Sequence, residues 1–386
     1  MSLKNVLIGT LLFLSLQAAV THAGRLYSVM PLPLENYDDM GMRGMNDLGH
    51  VVGIRRHYKG LPSAVSDGFF WSPETGMIDL GRGVLARALN NDDTVVGRWF
   101  DYPGSQPDGA ITWTKAGGLK FLATLPGGQV LAGTQSEAID INNNGQILLR
   151  STYAINADIW VRDKNGTMRL LDKVPFTNDG DVLPTSINQR GDVLGRADVS
   201  TGNLPDTHGI LWLAGGGMRD IPDLPGGRYG AYIGRMNAAG DISGAGLYEP
   251  ASSGEAGQRA VLWTHDGHII DLGTLPSMSS ASAAGLNDRG EVVGWSGPGK
   301  GAWDSGNAFL WTAKEGMLDL NNFLDPSGLG FRFYSAWAIN QSDQILVSGY
   351  RGGQHVSAVL TPTVPEPTSA LLLLVGTLSV RRPRRS

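Results

Sequence analysis

Apolar and polar positions alternate along this chain in short runs that restart at one recurring kind of break. In Gly285 to Gly294, G-L-N-D-R-G-E-V-V-G, an apolar residue and Asn lead into a polar segment, and an apolar run resumes after Gly290. The pattern occurs seven times, with its Asn at Asn46, Asn90, Asn142, Asn188, Asn237, Asn287 and Asn340, at steps of 44, 52, 46, 49, 50 and 53 residues (mean 49). An apolar residue always precedes the Asn: Met45, Leu89, Ile141, Ile187, Met236, Leu286, Ile339. Gly or Asp stands three positions after it: Gly49, Asp93, Gly145, Gly191, Gly240, Gly290, Asp343. Two further on a β-branched residue returns: Val51, Val95, Ile147, Val193, Ile242, Val292, Ile345. Period-2 alternation on both sides of a short polar segment predicts a β-hairpin, and its recurrence at a fixed period predicts a repeat architecture. Asn can bond nearby backbone amides, and Gly takes the positive φ of a type I turn followed by a bulge. Asp93 and Asp343 can enter the left-handed region at some cost.

Strings such as Asn90-Asn91-Asp92-Asp93 also offer oxygen ligands for a metal. The acids differ in number and position between units, however, and Asn188-Gln189-Arg190 has none. Turn chemistry is therefore the reading, with no metal and no cofactor expected.

Six of the seven hairpins are followed by an apolar run ending in Trp: Phe69-Phe70-Trp71, Ile111-Thr112-Trp113, Ile159-Trp160, Ile210-Leu211-Trp212, Val261-Leu262-Trp263 and Phe309-Leu310-Trp311. A polar turn and a fourth run come next, such as Met77-Ile78-Asp79-Leu80 or Met317-Leu318-Asp319-Leu320. Four short strands per unit match the blade of a β-propeller, with the Trp residues packed between blades. The seventh unit has its hairpin and a third strand, Ala358-Val359-Leu360, but no fourth. An unmatched piece, Leu26-Tyr27-Ser28-Val29-Met30, precedes the first hairpin. The expectation is an all-β, seven-bladed β-propeller over residues 24–362, its last blade completed by the N-terminal strand so that no sheet edge is left open.

Composition narrows the setting. Residues 1–23 read as a secretory signal, with Lys4, an apolar run from Val6 to Leu16, and Thr21-His22-Ala23 before Gly24. There is no cysteine, so no disulfide or thiolate chemistry enters. Residues 24–380 hold 26 Lys and Arg against 36 Asp and Glu, a net of −10, which argues against a nucleic-acid partner. At the other end, Val364-Pro365-Glu366-Pro367 precedes an apolar run, Ala370 to Val380, and then Arg381-Arg382-Pro383-Arg384-Arg385. That run is too short to span a bilayer comfortably, and the arginines would hold it on the cytoplasmic side.

Two resemblances follow. The runs Asn307-Ala308-Phe309-Leu310-Trp311, Gly316-Met317-Leu318-Asp319-Leu320 and Leu286 to Gly294 resemble bacterial extracellular HAF repeats over roughly residues 25–361. The His-Ala-Phe triplet is degenerate here, reading Asn-Ala-Phe at Asn307, His-Gly-Ile at His208 and Arg-Ala-Val at Arg259. That resemblance implies an exported repeat protein and brings no catalytic residues. The tail, residues 363–386, resembles the PEP-CTERM sorting signal of Gram-negative bacteria. It implies exosortase as a processing partner, a transient membrane association and delivery to the outer surface or matrix.

Candidate chemistry is sparse. The His residues (22, 50, 57, 208, 265, 268, 355) lack metal-ligand spacing, and no nucleophile elbow or phosphate-cradling loop occurs. Asp79, Asp220, Asp271 and Asp319 recur at one blade position and read as structural. Length varies instead between strands two and three, and between strand four and the next unit, two loop classes that share one face. Variable loops on a rigid scaffold are where function sits. They carry Arg98, Trp99, Tyr102, Arg228, Tyr229 and Trp303, the candidate binding residues, together with Tyr232, Phe333 and Trp337. The expected function is a non-enzymatic binding or matrix module for an extracellular polysaccharide or surface protein. The alternative is a lyase or hydrolase on extracellular glycans, which would need a convergent pair of carboxylates at the channel mouth.

Overall fold

The computed structural model describes residues 25–33, 39–57, 65–100, 109–122, 136–151, 158–175, 182–198, 207–224, 227–248, 257–299 and 304–363. The segments read from the sequence as a signal and as a sorting tail, the latter with Val364, Pro365, Glu366 and Pro367, and the candidates Tyr102 and Trp303 lie outside them. The described residues form seven four-stranded antiparallel sheets and contain no α-helix, only two short 3-10 turns. The chain is a seven-bladed β-propeller. Blades 1 to 6 each use four consecutive strands. Their innermost strands are β2 (Asp39–Met45), β6 (Val84–Leu89), β10 (Ser136–Ile141), β14 (Val182–Ile187), β18 (Gly227–Met236) and β22 (Ser280–Leu286). Blade 7 is built from β26 (Phe331–Ile339), β27 (Ile345–Arg351), β28 (Gln354–Thr363) and, as its outer strand, β1 (Leu26–Pro31).

That last pairing closes the ring as the unmatched N-terminal piece implied. Register runs antiparallel from Leu26 opposite Thr363 to Pro31 opposite Ala358. Tyr27 is completely buried, its carbonyl accepts from Asp325 N–H at 2.9 Å, and Arg25 pairs with Glu291 of blade 6 at 2.8 Å. The first strand is thus tied to both neighbours, the strand beside it and the blade before it.

Seven apolar clusters hold the ring, and each joins one blade to the next. Between blades 3 and 4, for example, Leu148, Ile159 and Val161 meet Ile187, Val193 and Trp212. The recurring Trp residues serve these interfaces: Trp71, Trp113, Trp212, Trp263 and Trp311 are all buried, and Leu360 takes the place of Trp in blade 7. Trp212 Nε1 donates to the Asp172 carbonyl of blade 3 (2.9 Å) and Trp263 Nε1 to the Pro222 carbonyl of blade 4 (2.8 Å). Large aromatics with a satisfied polar edge suit such seams, since truncating one costs about 3–5 kcal/mol.

The turn residues behave as their chemistry demands. All seven turns put the third residue after Asn at positive φ, from 55° at Asp93 and 60° at Asp343 to 92° at Gly240. The degenerate His-Ala-Phe position is explained by its cross-strand partner. His208 pairs with Asp220 (3.2 Å), Arg259 with Asp271 (3.1 Å) and Asn307 with Asp319 (2.7 Å). In these three blades the residue facing the recurring Asp varies while remaining a donor to it.

Candidate functional site

The seven Asn residues do more than turn the chain. Each is nearly or wholly buried, and each side-chain oxygen accepts from backbone N–H groups of its own turn, as Asn142 Oδ1 does from Asn144 and Gln146. In five of the seven the amide nitrogen reaches a backbone carbonyl of the next blade, while Asn188 and Asn287 donate to Asp192 and Glu291 of their own turns. Asn46 donates to the Asn90 carbonyl (3.0 Å), Asn90 to Asn142 (3.4 Å), Asn142 to Asn188 (2.8 Å), Asn237 to Asn287 (3.2 Å) and Asn340 back to Asn46 (3.1 Å). A second tier uses the following residue. The backbone N–H groups of Asp47, Asn91, Asn143, Ala238, Asp288 and Gln341 donate to the side chains of Asn91, Asn143, Gln189, Asp288, Gln341 and Asp47. This tier breaks only at Gln189, whose neighbour is Ala238 and has no side-chain oxygen to offer. The two tiers form a polar collar at one end of the central channel, the turn end.

The channel wall comes from a feature that the residue pattern did not predict. All seven inner strands carry a β-bulge just before the Asn turn. The displaced residues are Arg43, Arg87, Ile139, Thr185, Ala284 and Trp337, with Gly234 and Arg235 sharing the bulge of blade 5. A bulge re-aims a side chain out of the regular alternation, and here each one turns a residue toward the axis. The inner strands also lie close upon the second strands. At Gly97 a Cβ would come 2.1 Å from the Leu85 carbonyl oxygen, and at Gly294 it would come 2.1 Å from that of Ser282. Glycine there permits the approach.

Two cavities follow one another along the axis. The one at the turn end, about 200 Å³, is walled by collar residues with Asp140 and Met236. The wide one, about 760 Å³, opens toward the long-loop face. Arg43, Arg235 and Trp337 line both and form the waist between them. The wide compartment is lined by five guanidinium groups, those of Arg43, Arg87, Arg150, Arg196 and Arg235, against one carboxylate, Glu137. Tyr232, Trp295 and Trp337 supply aromatic surface.

The charges are unevenly matched. Glu137 binds Arg87 at 2.5 Å, and Asp140 sits 3.6 Å from Arg235 while accepting from Ile187 N–H at 2.9 Å. Burial pushes the Asp140 carboxyl above the ordinary carboxylate range, with Arg235 and the Ile187 amide acting against the shift. Arg43 opens into the channel and makes no ion pair with any described carboxylate. Its pKa is lowered, first by burial in the channel wall and then by the like charges of Arg87 and Arg56. Arg196 lies over the Tyr232 ring at 5.9 Å, and Tyr232 and Trp337 remain 54% and 45% exposed.

Of the candidates read from the sequence, Arg98 and Trp99 belong to the second strand of blade 2, β7 (Val95–Trp99). Trp99 is half-buried against the blade core and meets Phe121 edge-on at 5.9 Å, while Arg98 lies 5.3 Å from the Phe100 ring centre. Their surfaces are engaged by their own blade. Arg228 and Tyr229 fall in β18 as backbone, and their side chains lie outside the described residues. The segments read as loops up to Tyr232 and Trp337 are in part inner strand, which moves both aromatics from the rim into the channel. Phe333, from the same set, is wholly buried core. The channel arginines were the residues missed. Arg43 and Arg87 stand three positions before their Asn, a place also held by Ile139, Thr185, Gly234, Ala284 and Trp337, so no residue type recurs there to mark the channel.

No family model matches the chain, and no curated protein matches it. Solved structures do resemble it. The acylaminoacyl peptidase of Pyrococcus horikoshii superposes with a TM-score of 0.52 at 8% identity, covering 92% of this chain and 54% of the peptidase chain. A streptogramin B lyase gives 0.46 at 11% identity, covering 89% of this chain and 99% of the lyase. At these identities the likeness concerns the propeller fold alone.

Proposed function

We propose that this propeller is exported, sorted to the cell surface through its C-terminal tail, and acts there as a non-enzymatic binding or matrix module whose ligand enters the wide end of the channel. The observation that carries this reading is the wide compartment itself, lined by guanidinium and aromatic groups and, among the described residues, by one carboxylate, Glu137, held in an ion pair with Arg87. Glu137 is committed to Arg87 and Asp140 to Arg235, and the two line different cavities on either side of the waist. Hydrolysis of a glycoside by a carboxylate pair needs two carboxyl groups flanking one bond, so this arrangement favours binding over the glycan-active enzyme. Secretion and exosortase processing rest on the signal-like N-terminus and the three-part tail. Incubating the purified mature protein with the host's exopolysaccharide, and scoring retention and chain length together, tests the reading. Retention without shortening is expected; release of reducing ends would favour the enzyme.

A further inference from the structure

We infer that the wide compartment takes an acidic oligosaccharide, its carboxylates held by Arg43 and Arg196 and its ring faces laid on Tyr232 and Trp337. The inference deepens the binding reading and rests on it for the location of the site.

Charge is the first argument. Residues 24–380 carry a net of −10, yet five arginines line the compartment, and after Arg87 pairs with Glu137 and Arg235 with Asp140, Arg43 and Arg196 still face its space. An acidic protein that gathers like charges at its axis leaves a repulsion within the fold, and an anionic ligand relieves it. Arg43 lies beside the like charges of Arg87 and Arg56, which lower its pKa after burial in the channel wall has done so. Inside a walled cavity the effective dielectric is lower than in bulk water, so each guanidinium–carboxylate contact is strengthened. The planar fork of Arg also matches a carboxylate in two parallel hydrogen bonds.

Shape is the second. The bulges that turn Arg43, Arg87 and Trp337 toward the axis recur at one level of all seven inner strands, so these groups form a ring around a shared space. Tyr232 and Trp337 keep half of their surface open although each is anchored. Trp337 Nε1 donates to Ser348 Oγ at 2.9 Å, and Tyr232 lies beneath the Arg196 guanidinium. An aromatic face held in place stacks on an apolar sugar face at low entropic cost. A cavity of about 760 Å³ falls within the range that encloses a small-molecule-sized ligand, enough for a few sugar residues of a chain threading the mouth.

The test uses the mature protein with size-matched oligogalacturonate, neutral dextran and polyglutamate, read by calorimetric titration at low and high salt. Oligogalacturonate is expected to bind selectively and more weakly as salt rises. Arg43→Ala and Arg196→Ala should each weaken it by about tenfold or more at an unchanged melting temperature, and Tyr232→Ala should also weaken it. Equal binding of dextran, or parental affinity in both Arg variants, would overturn the anionic class; retention on native matrix would then still stand as evidence for a binding module. Polyglutamate binding as tightly as the uronate would overturn the sugar half of the inference.

Discussion

Replacing Tyr27 separates what closes the ring from what merely decorates it. Its ring is fully buried between blades 6 and 7 among Leu310, Leu320, Phe333 and Leu360, while its hydroxyl has no hydrogen-bond partner among the described residues. Tyr27→Ala removes the ring and should cost about 3–5 kcal/mol, which for a domain of this size is a fall in Tm of roughly 4–7 °C. Tyr27→Phe removes only the unsatisfied hydroxyl and should be neutral or stabilising, by up to about 1–2 kcal/mol. The two changes therefore act with opposite sign. Burial pushes the Tyr27 phenol up from 10.0 to about 12. Because the folded-state value lies above the unfolded one, the neutral phenol's contribution is whole below pH 10 and fades as the pH climbs toward 12. Over that window the parent loses about 1.4 kcal/mol per pH unit from this group, and the Phe variant does not. Circular dichroism melts and urea titrations at pH 7, 10 and 11.5 measure all three effects. A Tyr27→Ala protein that unfolds like the parent would refute closure through the N-terminal strand.

Three further expectations follow from particular contacts. Asn142→Ala removes donations to the Asn188 carbonyl and Gln146 Oε1, both at 2.8 Å, and two acceptances within its own turn. It should cost about 2–4 kcal/mol by urea unfolding, and a loss below about 0.5 kcal/mol would show that the collar contributes little. Ala238→Asp supplies the missing acceptor beside the Gln189 amide and should add about 0.5–1.5 kcal/mol. Hydrogen exchange at Gln189 should slow, and unchanged exchange would mean that the second tier does not close there. For the sorting proposal, mass spectrometry of surface-released protein should find no peptide containing Leu371 to Leu374; an intact tail would reject processing.

The fold was largely legible because its determinants are local. Alternation, the Asn turns and the positive-φ positions are set by each residue's own backbone preferences, so Gly49 through Asp343 announce seven hairpins without reference to their neighbours. Closure was legible by subtraction, since Leu26 to Met30 was a strand without a unit and the last unit lacked a strand. What escaped depends on contacts between units. Asn46 reads as a turn residue whether or not its amide reaches Asn90 in the next blade. A bulge inserts one residue into an alternation that looks regular on either side, so Arg43, Arg87 and Trp337 gave no sign of facing the axis. The loop reading also ran too far toward Tyr232 and Trp337, because the glycines of β18 and the polar residues Arg332 and Ser335 of β26 mimic loop composition. Trp99 and Arg98, chosen for their chemistry, turned out to lie against Phe121 and Phe100.

The central claim is that the ligand occupies the wide compartment of the channel, and filling that space tests it without knowledge of the ligand. Ala284 stands at the bulge of blade 6 and lines the compartment, so Ala284→Trp puts an indole into it. Retention of this variant on the native extracellular matrix, measured beside a Lys164→Trp control on an exposed outer turn, decides the matter at matched melting temperatures. The account predicts that Ala284→Trp loses retention while Lys164→Trp keeps it; parental retention by Ala284→Trp would contradict it.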